Sequence, residues 1–95
     1  MPGSIQGRVA SISESGNLVT DITRDQLSDA PTDERTAVKC GEHITQGVYS
    51  SDHHQPPMTF LAVAGETCLE LEIVGDSAKI MLGVSVGEEV VVEWA

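Results

Sequence analysis

The chain has 95 residues and a formal net charge of −10, from fifteen acidic and five basic side chains. This length allows one small hydrophobic core, which predicts a single domain over residues 1–95. Nucleic acid and anionic membranes are not expected partners, because binding them requires clustered Lys and Arg. The chain has no apolar run of the roughly 20 residues that a membrane span needs, no signal-peptide pattern and only two cysteines. We therefore expect a cytoplasmic protein with free thiols.

The first third of the chain predicts two strands and a turn. Short apolar segments separated by Gly, Pro, Asn and Asp are typical of an all-β fold. Strands are predicted at residues 5–13 and 18–22. Between them, Gly16 and Asn17 fit the two central positions of a tight primed turn, where both residues have positive φ. A helical turn is predicted at residues 24–28.

The middle third predicts three more strands, at residues 35–40, 43–49 and 58–64. The loop at residues 50–57 ends in Pro56 and Pro57, which cannot donate to a ladder, so the fifth strand begins after them. This fifth strand is apolar on both faces. Met58, Phe60, Ala62 and Ala64 are predicted to point to one side of it, and Leu61 and Val63, with Thr59, to the other. The set that points outward would have to be covered by the short helix or by another subunit.

The last third predicts two strands and one short helix. Leu69, Leu71 and Ile73 alternate with glutamates, which indicates a strand with one solvated face. A short helix is predicted within residues 76–82, with Asp76 as its N-cap and Gly83 at its end. In the last strand the apolar residues Val90, Val92 and Trp94 face one way. The whole chain therefore predicts an all-β, mostly antiparallel barrel of about seven strands with one short helix at residues 76–82.

A cysteine and three histidines raise the question of a metal site. Cys40 and His43 have a plausible ligand spacing, His53 and His54 follow, and thiolate with imidazole suits zinc. The alternative is a half-buried strand cysteine with solvated loop histidines, and no second Cys-x-x-Cys pair supports a metal. We expect no metal and no cofactor.

No constellation in the sequence predicts a catalytic residue. Alternating glutamates such as Glu70 and Glu72 usually mark a solvated strand face, whereas acid–base catalysis needs a carboxyl in a cleft. No nucleophile elbow or glycine-rich phosphate loop is present.

Two stretches of this sequence nevertheless resemble a known family. The first is Gly-Asn-Leu-Val-Thr-Asp-Ile at residues 16–22, and the second is Leu-Glu-Leu-Glu-Ile at residues 69–73 followed by Asp76-Ser77-Ala78-Lys79. Both resemble the C-terminal barrel domain of the S-adenosylmethionine (SAM) hydrolase family, which includes the SAM hydroxide adenosyltransferases, chlorinases and fluorinases. The resemblance extends from Ile5 to Val92.

The resemblance implies an adenosyl-ligand site formed by Asn17, Ser77 and Ala78. In the family, the residue matching Asn17 contacts adenine, and the backbone of the stretch matching Ser77 and Ala78 approaches it. The alternative for Asn17 is that Gly-Asn is favourable turn chemistry, since Asn tolerates positive φ. Other family contacts are replaced, with Ser13 for an Asp that holds the methionine amine and Ser15 for a Phe that stacks nearby.

The resemblance also bears on function and assembly. The family's N-terminal domain, which supplies most of the cleft, has no counterpart here, and family members are commonly trimers. We expect a non-catalytic barrel module for self-association or partner binding, with residual binding of an adenosyl small molecule, and a homo-oligomer, most simply a trimer. The alternative is an enzyme of the SAM hydroxide adenosyltransferase type, with a site formed between subunits or with a separate N-terminal-domain partner.

Overall fold

The structure is a computed structural model that describes residues 3–50 and 52–94, and in these ranges it is all-β with one short α-helix. A 3-10 helix spans Gln26–Asp29. The strands and the α-helix are β1 (Gly3–Ile12), β2 (Leu18–Thr23), β3 (Thr36–Cys40), β4 (His43–Gln46), β5 (Val48–Ser50), β6 (Phe60–Ala64), β7 (Cys68–Ile73), α1 (Ala78–Leu82) and β8 (Glu89–Trp94).

The strands form a nearly closed barrel in the order β4-β3-β8-β1-β2-β7-β6-β5. Every pair is antiparallel except β5 with β6, which is parallel. Strand β1 pairs with two strands along its length: residues Gly3 to Arg8 pair with β8, and only Val9 to Ile12 pair with β2. The predicted mostly antiparallel barrel with one short helix is thus confirmed.

The predicted count of about seven strands differs from the observed eight because one predicted strand changes partners. Residues 43–49 were expected to form one strand, but Gly47 interrupts it with a φ of +84°. Before this bend, β4 pairs with β3; after it, β5 pairs with β6. Across the resulting seam, Thr45 Oγ1 donates a hydrogen bond to the Phe60 carbonyl at 3.1 Å. The bent strand therefore brings the two ends of the sheet together.

The core consists of the inward residues of these strands together with Ala78 of α1. The predicted alternation holds in β7, where Leu69 and Leu71 are fully buried and Ile73 nearly so. The interior is aliphatic, and its hydroxyl groups are bonded: Thr20 Oγ1, for example, donates to the Leu69 carbonyl at 2.7 Å. The buried apolar residues are Val9, Leu18, Ile22, Val38, Cys40, Leu61, Ala62, Val63, Leu69, Leu71, Ile73, Ala78, Val84, Val90 and Val92.

The outer face of β6 is covered within the chain, so it does not need the second subunit that the sequence left open. Leu61 and Val63 are 0% and 4% exposed. Leu61 lies opposite Glu72 in the β6–β7 ladder. The His53 ring, from the loop between β5 and β6, approaches that glutamate, with His53 Nε2 3.4 Å from Glu72 Oε1. Both outward side chains are thus buried in the single chain, so they supply no reason for a trimer.

One predicted turn and one predicted strand start are wrong in detail. Asn17 does not have positive φ, since Met58 is the one non-glycine residue with positive φ among those described. The hairpin instead turns over residues 13–16, where the Gly16 N–H donates to the Ser13 carbonyl at 3.0 Å. Met58, with a φ of +66°, lies before β6, which therefore begins at Phe60.

The helical predictions are close, with shifted ends. Helix α1 ends at Gly83 as expected, in the left-handed conformation with a φ of +66°. Its N-cap, however, is Ser77, whose hydroxyl accepts a hydrogen bond from the Ile80 N–H at 3.3 Å. Asp76 instead accepts from the Ser77 N–H. The turn predicted at residues 24–28 is the 3-10 helix two residues later. In residues 3–50 and 52–94 no helix is both long and apolar enough to cross a membrane.

Candidate functional site

A cleft of about 370 Å³ lies where the β1–β2 turn meets the segment between β7 and α1. It brings together two of the three residues expected at an adenosyl site, Asn17 and Ser77, which are 60 positions apart in the sequence. The residues that line it are Ser15, Asn17, Glu72, Ile73, Gly75, Asp76 and Ser77.

The two walls of this cleft are fixed to each other through Gly16. Its φ of +88° suits glycine, and a Cβ atom at this position would lie 2.6 Å from Ser77 Cβ and closer still to the Ser77 hydroxyl. The Gly16 carbonyl accepts a hydrogen bond from the Lys79 N–H at 2.9 Å. Only glycine permits this approach. The position of the turn is thereby set by the first residues of α1.

Asn17 has a free side chain facing this cleft. Its backbone is fully used, because the N–H donates to Ser13 Oγ at 3.0 Å and the carbonyl accepts from the Ser13 N–H at 3.0 Å. Its side-chain amide makes no hydrogen bond to any described residue. The explanation of Asn17 by tolerance of positive φ is wrong, since its φ is not positive. A half-buried amide with two donors and an acceptor is left for a ligand.

Ala78, the third expected residue, is not on the cleft surface. Its methyl group is fully buried in the core. Any contact it makes with a ligand must therefore come from its backbone, which is the kind of contact that the sequence resemblance implies.

Two carboxylates give the cleft a negative potential. Glu72 and Asp76 both line it, and no Lys or Arg is among the lining residues. Asp76 Oδ1 accepts from the Ser77 N–H at 2.7 Å. Glu72 has His53 Nε2 at 3.4 Å, and the His53 side chain is 9% exposed. Such a surface accepts hydrogen bonds from hydroxyl and amino groups, attracts cations and repels phosphate.

No local sequence pattern indicated the roles of Glu72 and His53. Alternation along β7 assigned Glu72 to a solvated face, and His53 lay in a polar loop. The loop between β5 and β6 brings His53 to Glu72, and its path depends on long-range packing rather than on a local pattern.

Of the four candidate metal ligands, Cys40 and His43 are paired residues of the β3–β4 ladder, and His53 and His54 lie in the loop between β5 and β6. Burial, with a smaller effect from Glu88, raises the pKa of the Cys40 thiol to about 11. His43 Nε2 lies 3.0 Å from the Leu82 carbonyl, and His53 contacts Glu72. Among residues 3–50 and 52–94, no three His, Cys, Asp or Glu side chains lie close enough together to hold a metal ion.

A larger groove of about 680 Å³ crosses the outside of β1, β8 and β3 near Trp94. It contains none of the predicted site residues. Its one cation, Arg35, is already paired with Asp33 at 3.0 Å, and this pairing lowers the pKa of Asp33 and raises that of Arg35. The smaller cleft is therefore the candidate site.

Comparisons with known proteins identify the fold and leave the activity open. No protein-family model matches the chain, and no curated protein matches it. Among solved structures, an uncharacterized conserved protein from Thermotoga maritima matches 94% of this chain with a TM-score of 0.75 and 21% identity. A conserved hypothetical protein from Thermus thermophilus matches 90% with a TM-score of 0.67 and 22% identity. This chain covers 35% and 31% of those chains, so it spans about a third of their length.

Proposed function

We propose that this chain is a non-catalytic barrel module that binds an adenosyl compound at the cleft between the β1–β2 turn and α1. In this proposal it is related to the C-terminal domain of the SAM hydrolase family. The observation that carries the proposal is the shared cleft of Asn17 and Ser77, the two residues that the family resemblance assigns to the ligand.

The side-chain chemistry of the cleft suits a nucleoside. A free Asn17 amide can donate to one adenine nitrogen and accept from the exocyclic amine. The carboxylates of Glu72 and Asp76 can accept hydrogen bonds from ribose hydroxyls. Their charge favours a cationic ligand such as SAM, which carries a sulfonium and an ammonium group, over a nucleotide with phosphates.

The geometry favours a module that works together with a second polypeptide. The cleft is an open surface feature: the β1–β2 turn and the segment between β7 and α1 form its walls and leave its solvent side uncovered. The two solved structures are each about three times as long as the region they share with this barrel. That difference supports a barrel whose site is completed by another domain, subunit or partner. A homo-oligomer remains part of the proposal, with a trimer by analogy to the family.

The absence of catalysis is proposed from the groups that face the cleft. Ser77 Oγ is used as the α1 cap, and Ser15 Oγ lies 3.1 Å from Ser13 Oγ with no base beside it among the described residues. Glu72, next to His53, is placed to activate a water molecule. The alternative enzyme of the SAM hydroxide adenosyltransferase type would depend on that pair and on a second polypeptide.

Calorimetric titration with SAM, adenosine and ATP tests the binding proposal. We expect SAM and adenosine to bind, ATP to bind at least about tenfold more weakly because of the two carboxylates, and Asn17→Ala to reduce binding. Gln46→Ala, on β4, is the matched control. Equal affinity for ATP, or binding unchanged in Asn17→Ala, would place the ligand elsewhere.

Incubation of the protein with SAM, followed by chromatography for adenosine, tests the absence of catalysis. We expect no adenosine above the level of a protein-free control. Turnover that follows the purified protein and is lost in Glu72→Gln would establish the enzymatic alternative.

A further inference from the structure

The first half of β1 has a free edge. Val9 faces β8, since its N–H donates to the Glu88 carbonyl at 2.9 Å and its carbonyl accepts from the Gly87 N–H at 2.8 Å. Backbone groups alternate between the two sides of a strand. The N–H and C=O groups of Ser4 and Gln6 therefore point away from β8.

Strand β2 does not pair with this part of β1. The β1–β2 ladder reaches only to Val9, and beyond it the Arg8 N–H is bonded to the side chain of Asp21 at 2.9 Å. Gly7 allows this arrangement, because a Cβ atom there would lie 2.5 Å from Ile22 Cγ1. Asp21 thus ends the ladder and leaves Ser4 and Gln6, both exposed, without a backbone partner among the described residues.

We propose that a second copy of this chain pairs with this edge, antiparallel, through residues Ser4 to Gln6. The proposal rests on the self-association part of the proposed function, and it replaces the trimer taken by analogy to the family with a two-fold dimer. With Ile5 facing Ile5 of the other copy on a two-fold axis, each Ser4 lies opposite a Gln6. The pairing makes four backbone hydrogen bonds, and Asp21 prevents it from extending to Arg8.

Charge favours a copy of this chain as the occupant. The chain carries −10 overall, but residues 3–7 contain no charged side chain, so two copies can meet here without apposing carboxylates. The nearest acidic side chain on β8 is Glu93, opposite Ser4 and bonded to Lys39 at 3.2 Å. Three strand spacings separate the two copies of β8, about 14 Å, which exceeds the screening length at physiological salt. A charged peptide would find no opposite charge on this neutral edge, so electrostatics does not favour it as the partner.

The side chains also fit a two-fold pairing. In this register Gly3 lies opposite Gly7 of the other copy on the inner face. The space beside each glycine is filled from its own chain, by Trp94 at Gly3 and by Asp21 and Ile22 at Gly7, so the two Ile5 side chains meet between these groups. Ser4 and Gln6, both uncharged, meet on the outer face. Free edges of this kind are templates for pairing with another chain.

Sedimentation equilibrium of Gln6→Pro and Gln6→Ala tests the proposal, at concentrations up to about 1 mM because so small an interface is weak. Proline at position 6 removes the outward N–H, which no described residue uses within the chain. The dimer would thereby lose two of its four backbone hydrogen bonds, whereas alanine at position 6 keeps all four. We expect the wild-type chain and Gln6→Ala to dimerise, more strongly at high salt. The dimerisation affinity of Gln6→Pro should be at least about tenfold lower, as expected for the loss of two hydrogen bonds. Equal dimerisation of the two variants, a monomeric wild type, or a trimer would each overturn the proposal.

A second variant checks the register and does not depend on the folding of Gln6→Pro. In antiparallel pairing the two residues at position 5 form a non-hydrogen-bonded pair with Cα atoms about 4.5 Å apart, within the range of a disulfide. Ile5→Cys, in a Cys68→Ser background, should therefore form a disulfide-linked dimer on mild oxidation. Failure to cross-link under conditions where the protein dimerises would overturn this register. The adenosyl titration uses Asn17→Ala, which leaves the edge intact, so either proposal can fail alone.

Discussion

Replacing Gly16 by alanine tests whether the candidate site depends on close packing between the turn and α1. An alanine at a φ of +88° costs about 1–2 kcal/mol in backbone strain. Its Cβ atom would overlap Ser77, 2.6 Å from the Ser77 Cβ atom, and overpacking of this kind adds about 1–3 kcal/mol. We therefore expect Gly16→Ala to lower the free energy of unfolding by about 2–5 kcal/mol.

Gly75→Ala is the matched control. Gly75 also lines the cleft and has a φ of +79°, but a Cβ atom there meets nothing within 4 Å. Gly75→Ala therefore introduces the backbone strain without the overlap. Both variants are stabilised equally by the lower conformational entropy of the unfolded chain, so this effect cancels in the comparison. Urea unfolding, followed by the fluorescence of Trp94, gives the two free energies. The difference between them should be about 1–3 kcal/mol. Equal destabilisation would show that Ser77 moves away freely and that Gly16 does not fix the cleft.

Three further predictions concern single side chains. Ser77→Ala removes the N-cap of α1 and should cost about 1 kcal/mol in urea unfolding. Cys68 should react with a thiol reagent at pH 8 well before Cys40, because the Cys40 thiol stays neutral until the pH approaches its pKa of about 11. Equal reaction rates of the two cysteines would contradict the burial of Cys40. Thr45→Val removes the hydrogen bond to Phe60 and should lower stability by about 1 kcal/mol, with faster hydrogen exchange of the β4 amides by NMR.

The sequence predicts the parts of this fold that depend on local alternation. The buried face of β7 and the glycine that ends α1 follow from patterns over a few residues. The division between β4 and β5 does not, because Gly47 lies within an otherwise continuous strand pattern. Its bend is determined by which strands lie on either side, and those strands are distant in sequence. The prediction of Asp76 as the N-cap of α1 is wrong for a different reason. Asp76 and Ser77 are both good N-cap residues, and the contact of Ser77 with Gly16 favours Ser77.

The candidate site was predictable only in part. Asn17 and Ser77 came from a resemblance between short motifs, and the structure places both on one cleft. The buried methyl of Ala78 limits that residue to a backbone contact. Leu61 and Val63 show the limit of alternation: it separates the two sides of β6 but cannot say that both are buried within the chain. Nor could it place His53, which the loop between β5 and β6 brings to Glu72 beside the cleft.

The position of β8 has a consequence for how the protein is made. This strand is the last of the eight in chain order, yet it lies in the middle of the sheet, between β1 and β3. Until residues 89–94 have left the ribosome, the β1–β2 and β3–β4 hairpins have no ladder between them, and each has an exposed edge. The complete barrel therefore cannot form before these residues are available, and until then a net charge of −10 opposes association through the exposed edges. A chain stopped at Gly87 should emerge as an unfolded polypeptide rather than as a smaller barrel.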